Sequence, residues 1–170
     1  YRVLAYAPAY DASDPDLAEM IVERQREELK TLLKVVRSDP GNTQASLAAV
    51  QALLRVFDQQ QAQSEVNLPL TQLRDTVRVS QMGTVEETRD WMKRVTGTNF
   101  KLLEAAWNLS LRTVRQNPFE GQAYVFLAEL SFLHDASGEY QRSFLKQAAA
   151  VRPFEPLIHV ALAERALADG

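Results

Sequence analysis

The sequence predicts an all-α protein built of antiparallel helix pairs stacked side by side, about eight helices in all. Three observations carry that expectation. Apolar residues recur at helical spacing along most of the chain. Glycine is scarce, 6 of 170 residues, which suits long helices better than sheets joined by tight turns. A stretch in the C-terminal third also returns, largely unchanged, 35 residues later.

Tyr1 to Ala12, with Pro8, reads as an extended lead-in. Asp14, Pro15 and Asp16 then have the chemistry of a helix start: a capping side chain, a ring suited to the first helical position, and a carboxylate near the positive end of the dipole. Leu17, Met20, Ile21, Leu29, Leu32, Leu33 and Val36 follow at helical spacing. The charged run from Glu23 to Glu28 reads as a solvated face. Asp39-Pro40-Gly41-Asn42 ends this helix, and a second spans Thr43 to Gln61. Its apolar residues surround it on nearly all sides, so it should be central. Gln59 to Gln61 and Gln63 read as a frayed end leading into a loop.

Leu68 to Ser80 reads as a shorter helix, with Val77 and Val79 leaving a strand open. Gly83-Thr84 begins a helix running to Val95, which Thr96 to Asn99 breaks. Phe100 to Gln116 carries one strong apolar face through Leu103, Trp107, Leu111 and Val114. Helices over Gly121 to Asp135, Tyr140 to Val151 and Pro156 to Ala168 complete the chain. All of it reads as a single domain, with a first helix pair over 13–62, an irregular middle over 68–97 and the best-matched repeats over 98–170.

The apolar fraction of 46% and the length of 170 residues are enough for a sizeable core. Nineteen basic against 22 acidic residues give a net charge of -3, no field for collecting phosphates, so nucleic acid is not an expected partner. No window reaches the roughly 18 to 20 apolar residues of a membrane span. The absence of cysteine excludes disulfides and thiolate metal sites and leaves the compartment open. The chain begins with Tyr1 and not Met, which reads as a piece of a longer protein, with any targeting signal out of view.

The repeat is the most informative feature. Pro118-Phe119-Glu120 is followed by Val125, Leu127, Ala128 and Glu129. Pro153-Phe154-Glu155 is followed by Val160, Leu162, Ala163 and Glu164. Seven of thirteen aligned positions are identical. A fainter copy matches Lys34 to Pro40 with Arg112 to Pro118, 78 residues apart. In each copy a helix ends, proline stops it and an apolar helix begins. This pattern resembles the tetratricopeptide (TPR) family: Tyr124, Leu127 and Ala128 match its first helix, Ala148 the small position of its second, and Pro153 its terminal proline. It departs where His159 replaces an aromatic, where the loop from Asp135 to Glu139 is long, and where the interval from Pro40 to Pro118 exceeds two repeats. A narrower resemblance, in Asn117 to Tyr124 with Leu127 to Leu130, is to the repeat tails of bacterial membrane proteins of the O-antigen ligase or polymerase type.

The TPR resemblance implies an α-α superhelix whose first helices line a concave protein-binding surface. In register, that surface holds Gln44, Leu47 and Gln51 in one copy, Gln122, Val125, Glu129 and Phe132 in the next, and Val160 and Glu164 in the last. The family's chaperone-binding members grip a peptide carboxylate with lysine and asparagine. Gln and Glu stand here instead, so the expected partner is a neutral or basic protein segment. The second resemblance implies an accessory domain of a membrane-bound glycan-assembling protein, tethered outside the cytoplasm. The compartment is therefore either the cytoplasm or that tethered position.

Catalytic chemistry is not expected. The chain lacks a phosphate-binding glycine loop, a dinucleotide fingerprint and a nucleophile elbow. His134 and His159 have no partner at metal-ligand spacing; His134 reads as a cation at a helix end and His159 as a packing residue. Asp11, Asp14 and Asp16 lack the glycine and glutamate of a calcium loop, and capping is their reading. Trp91 and Trp107 read as core. No cofactor, metal, small-molecule substrate or inserted membrane segment is expected.

Overall fold

The computed structural model describes residues 15–80, 84–135 and 137–169, and every regular element among them is helical. The helices are α1 (Pro15–Ser38), α2 (Thr43–Ala62), α3 (Leu70–Ser80), α4 (Val85–Thr96), α5 (Phe100–Gln116), α6 (Gly121–Leu130), α7 (Glu139–Val151) and α8 (Pro156–Asp169). Short 3-10 turns, Gly97–Asn99 and Ser131–Leu133, precede α5 and follow α6. The all-α expectation with about eight helices holds, and Leu68 to Ser80 resolves as helix over Leu70–Ser80. The lead-in and the Asp11 and Asp14 readings fall outside the described residues.

The helices pack in the order α1, α2, α5, α6, α7, α8, each against the next, with the α2–α5 and α6–α7 pairs the most extensive. Among the described residues α1 packs chiefly on α2, and its buried residues Val22, Leu29 and Val36 form a seven-residue stripe. One main neighbour needs only one seam. Met20 and Ile21, expected on the apolar face, are 62% and 41% exposed. The run from Glu23 to Glu28 is solvated apart from Gln25, and Glu28 reaches across to Arg55 at 2.9 Å. α2 lies between α1 and α5 and buries residues on all sides, from Ser46 and Leu47 to Phe57 and Gln61. The expected fraying of the glutamine run does not occur: Gln61 is fully buried and the helix continues to Ala62.

Three turns in this stack have one form. At Asp39, Asn117 and Arg152 the backbone N–H closes on the carbonyl four residues back, at 2.8, 2.8 and 2.9 Å. Three residues on, Asn42, Glu120 and Glu155 donate back to those same positions at 3.2, 3.1 and 3.2 Å. The next helix starts immediately after each turn. Proline occupies the second turn position each time, where it forfeits no helix bond.

The fainter copy at Pro40 is therefore a true structural counterpart of Pro118, and the 78 residues between them enclose one helix pair, α2–α5. The excess length is α3 and α4, inserted between the partners of that pair. The insertion is anchored at both helices. Asp58 on α2 accepts from the Leu70 N–H at 2.7 Å, capping α3 from outside. α4 opens with a capping box in which Thr84 and Glu87 bond each other's backbone N–H at 3.1 and 3.2 Å. Leu73 and Met92, at 0% exposure, join the same core as α2, α5 and α6.

Candidate functional site

The surface beside α6 is set by how closely the first turn of that helix meets the turn leading into α8. A β-carbon on Gly121 would fall 2.7 Å from Arg152 Cγ, 3.0 Å from Arg152 Cβ and 3.1 Å from Ile158 Cδ1. Only glycine admits this approach without a shift. It brings α6 and α8 alongside each other and leaves a groove over them.

The groove has two lobes. One, of about 290 Å³, lies between α3, α6 and the start of α7, with Val77, Phe132 and Leu145 among its apolar lining. The other, of about 420 Å³, lies between α6, α8 and the edge of α2, with Phe126 and Ile158 at its floor. Val125, Glu129 and Ala161 line both, so the lobes run into one another. Asp75, Glu120, Glu129, Asp135 and Glu155 line them, against Arg74, Arg78 and Arg152. Carboxylates thus outnumber guanidinium groups.

Several of these charges are held in place. Arg152 Nε donates to the Phe119 carbonyl at 3.2 Å, and the Glu120 carboxylate accepts from the Gln122 N–H at 3.4 Å. Asp135 accepts from Ser137 Oγ at 2.5 Å, from the Ser137 N–H at 2.8 Å and from the Tyr140 N–H at 2.7 Å. Burial pushes its carboxyl up, but these bonds together outweigh that and leave it below its ordinary value. Asp135 therefore organises the start of α7, where Gly138 adopts a left-handed φ of 79°.

Of the surface residues expected from the repeat register, Gln51, Gln122, Val125, Glu129 and Val160 meet in the second lobe. Phe132 lines the first lobe but is 6% exposed and belongs mainly to the core. Leu47, also expected on the concave side, is 3% exposed inside the core. Its helix is flanked by α1 and α5, and that register position turns inward. Gln44 is exposed and borders neither lobe. Glu164 lies on α8, with its side chain outside what the structure describes.

The register missed the contributions of α3, namely Arg74, Asp75, Val77 and Arg78. Nothing in the sequence places an inserted helix beside a groove formed by a later pair. Glu120 and Glu155 carried a usable signal, since both close the repeated Pro-Phe-Glu turn.

Both histidines depart from expectation. His134 is half-buried and stacks on Trp107 with ring centroids 4.4 Å apart. Burial, and secondarily Arg89, hold its imidazole below the ordinary value against the pull of Glu104, so it is a neutral packing group rather than a cationic cap. His159 is exposed, with Nε2 2.6 Å from the Pro153 carbonyl, and is not the packing residue expected from the repeat register. Trp107 is buried at 7% exposure and Trp91 packs partly buried on the core.

Among the described residues no group of three His, Asp or Glu side chains could hold a metal ion, and no helix is long and apolar enough to cross a membrane. No protein-family model, curated protein or solved structure matches the chain.

Proposed function

We propose that this chain is a TPR-like helical scaffold that binds a neutral or basic protein segment along the α6–α8 groove. One observation carries the reading: five residues assigned to a binding face by repeat register alone meet in one cavity, whose lining has more carboxylates than basic groups. A long, open groove with an apolar floor suits an extended segment, whose apolar side chains fill the lobes while basic ones face Glu120, Glu129 and Glu155. Electrostatic complementarity of this kind governs partner choice and association rate more than total affinity. The scaffold role involves no catalytic step.

The test is a titration with short peptides matched in length and apolar content but differing in net charge. Neutral and basic peptides should bind and acidic ones should not. A chain carrying Glu129→Lys and Glu164→Lys should bind basic peptides more weakly, chiefly through slower association, and the difference should shrink as salt is added. Equal affinity of wild type and variant at low salt, or preference for acidic peptides, removes this groove as the binding site.

A further inference from the structure

The two lobes of the groove lie end to end along α6. Glu120 and Gln122, at the start of that helix, line the lobe beside α8. Ser131 and Phe132, just past its end, line the lobe beside α3. Val125 and Glu129, between them, line both. The groove therefore follows a helix of 10 residues, about 15 Å long at 1.5 Å per residue.

Charge is not spread evenly along this length. At the α8 end Glu120 and Glu155 stand with Arg152, and the Arg152 guanidinium is turned to the Phe119 carbonyl. At the α3 end Arg74 and Arg78 line the cavity from one face of the inserted helix, one turn apart. Asp75 and Asp135 line that lobe too, but neither cancels the pair. Asp135 accepts three bonds at the start of α7 and sits against the positive end of that helix. The Asp75 side chain is 64% exposed and meets Arg74 Nε at 3.5 Å, the outer limit of a hydrogen bond. Two guanidinium groups one turn apart repel each other. A carboxylate between them relieves that repulsion and takes their N–H donors in pairs.

We infer that the segment bound by this groove is bipolar, with a basic residue over Glu120 and Glu155 and an acidic residue at Arg74 and Arg78. Apolar residues lie between the two, over Val125 and Phe126. The inference rests on the groove reading above and adds to it the order of charges. An extended chain advances about 3.3 Å per residue, so the length of α6 separates the two charges by roughly five residues. The acid-binding end comes from α3, so the helix inserted between α2 and α5 selects which segments the groove accepts.

The experiment is a titration of the 170-residue chain with end-blocked peptides of one composition: lysine, glutamate and leucine. In some the charges are segregated at opposite ends, lysine first or glutamate first; in others they alternate. A basic control carries glutamine in place of glutamate. One of the segregated orders should bind about tenfold tighter than the alternating peptides. Arg74→Glu should abolish that advantage and leave affinity for the basic control unchanged, with helicity followed by circular dichroism. Arg74→Gln, which removes the charge without reversing it, should lose part of the advantage. Equal binding of segregated and alternating peptides, with the basic control still bound, overturns the inference and leaves the groove reading standing. So does an advantage that survives Arg74→Glu, or a variant that weakens the control as much as the segregated peptide. If no neutral or basic peptide binds, the groove reading itself fails and the inference falls with it.

Discussion

The α6–α7 and α2–α5 pairs are bounded by turns of the same form, but one is compact and the other encloses two additional helices. α6 passes to α7 through a 3-10 turn and a short loop, whereas α2 reaches α5 only after α3 and α4. The helices of both pairs nevertheless pack extensively. Extra chain between two paired helices is inexpensive, because closure entropy rises by only about 0.6 kcal/mol per doubling of loop length. The insertion also returns stabilisation by burying Leu73, Val77 and Met92, each contributing roughly 1.5–3 kcal/mol. Burial outweighs closure, so the insertion behaves as part of the core rather than as an appendage.

The largest effect expected from this comparison is at Leu73. Were the insertion an independent flap, trimming it would leave global stability unchanged. Because Leu73 is fully buried in the shared core, Leu73→Ala should cost about 2–5 kcal/mol in a single cooperative urea transition. A separate early transition, with the main one unmoved, would show that α3 unfolds alone.

A smaller effect is expected within the compact pair. Ala128 is 2% exposed on α6, which packs extensively against α7. Ala128→Leu should overpack that crossing and cost about 1–3 kcal/mol, measured as a lower urea midpoint at unchanged slope. An unchanged urea midpoint would mean that the added methyl groups enter the adjoining lobe of about 290 Å³, which Ala128 also lines, and not the crossing.

Helix positions were largely legible because periodicity, proline and capping residues are local signals. Phe100 to Gln116 was read to the residue, and Thr84 marked the start of α4. The pairing of α2 with α5 was not legible, since 78 residues between matching turns can be divided more than one way by sequence spacing alone. Leu47 shows the same limit at the site. Register gives a residue's angle around its helix, but whether that angle meets solvent depends on neighbours distant in sequence. For the same reason the basic wall supplied by Arg74 and Arg78 could not be foreseen, while the acidic positions inside the repeat could.

The smallest effect concerns His134, at the closing turn of the compact pair, where it meets Trp107 of α5 and Arg89 of the inserted α4. Burial, reinforced by Arg89, sets its folded pKa below that of the unfolded chain, near 6.5. Between those two values the unfolded chain binds the extra proton and the folded chain does not, so stability there must rise with pH. The contribution is complete above about pH 6.5 and is lost as pH falls toward the lowered folded pKa. Asp135 acts in the same sense in a lower window: its folded pKa lies below 3.8, so its contribution is lost only in stronger acid. Urea midpoints should therefore decline from about pH 7.5 to about pH 5 in wild type. They should decline less in His134→Phe, which keeps an aromatic ring against Trp107 but cannot titrate. A wild type more stable at the acidic end would mean that the imidazole gains a proton on folding. It would then act as a cation at the end of its helical turn, and the contact between the compact pair and the insertion would be electrostatic rather than packed.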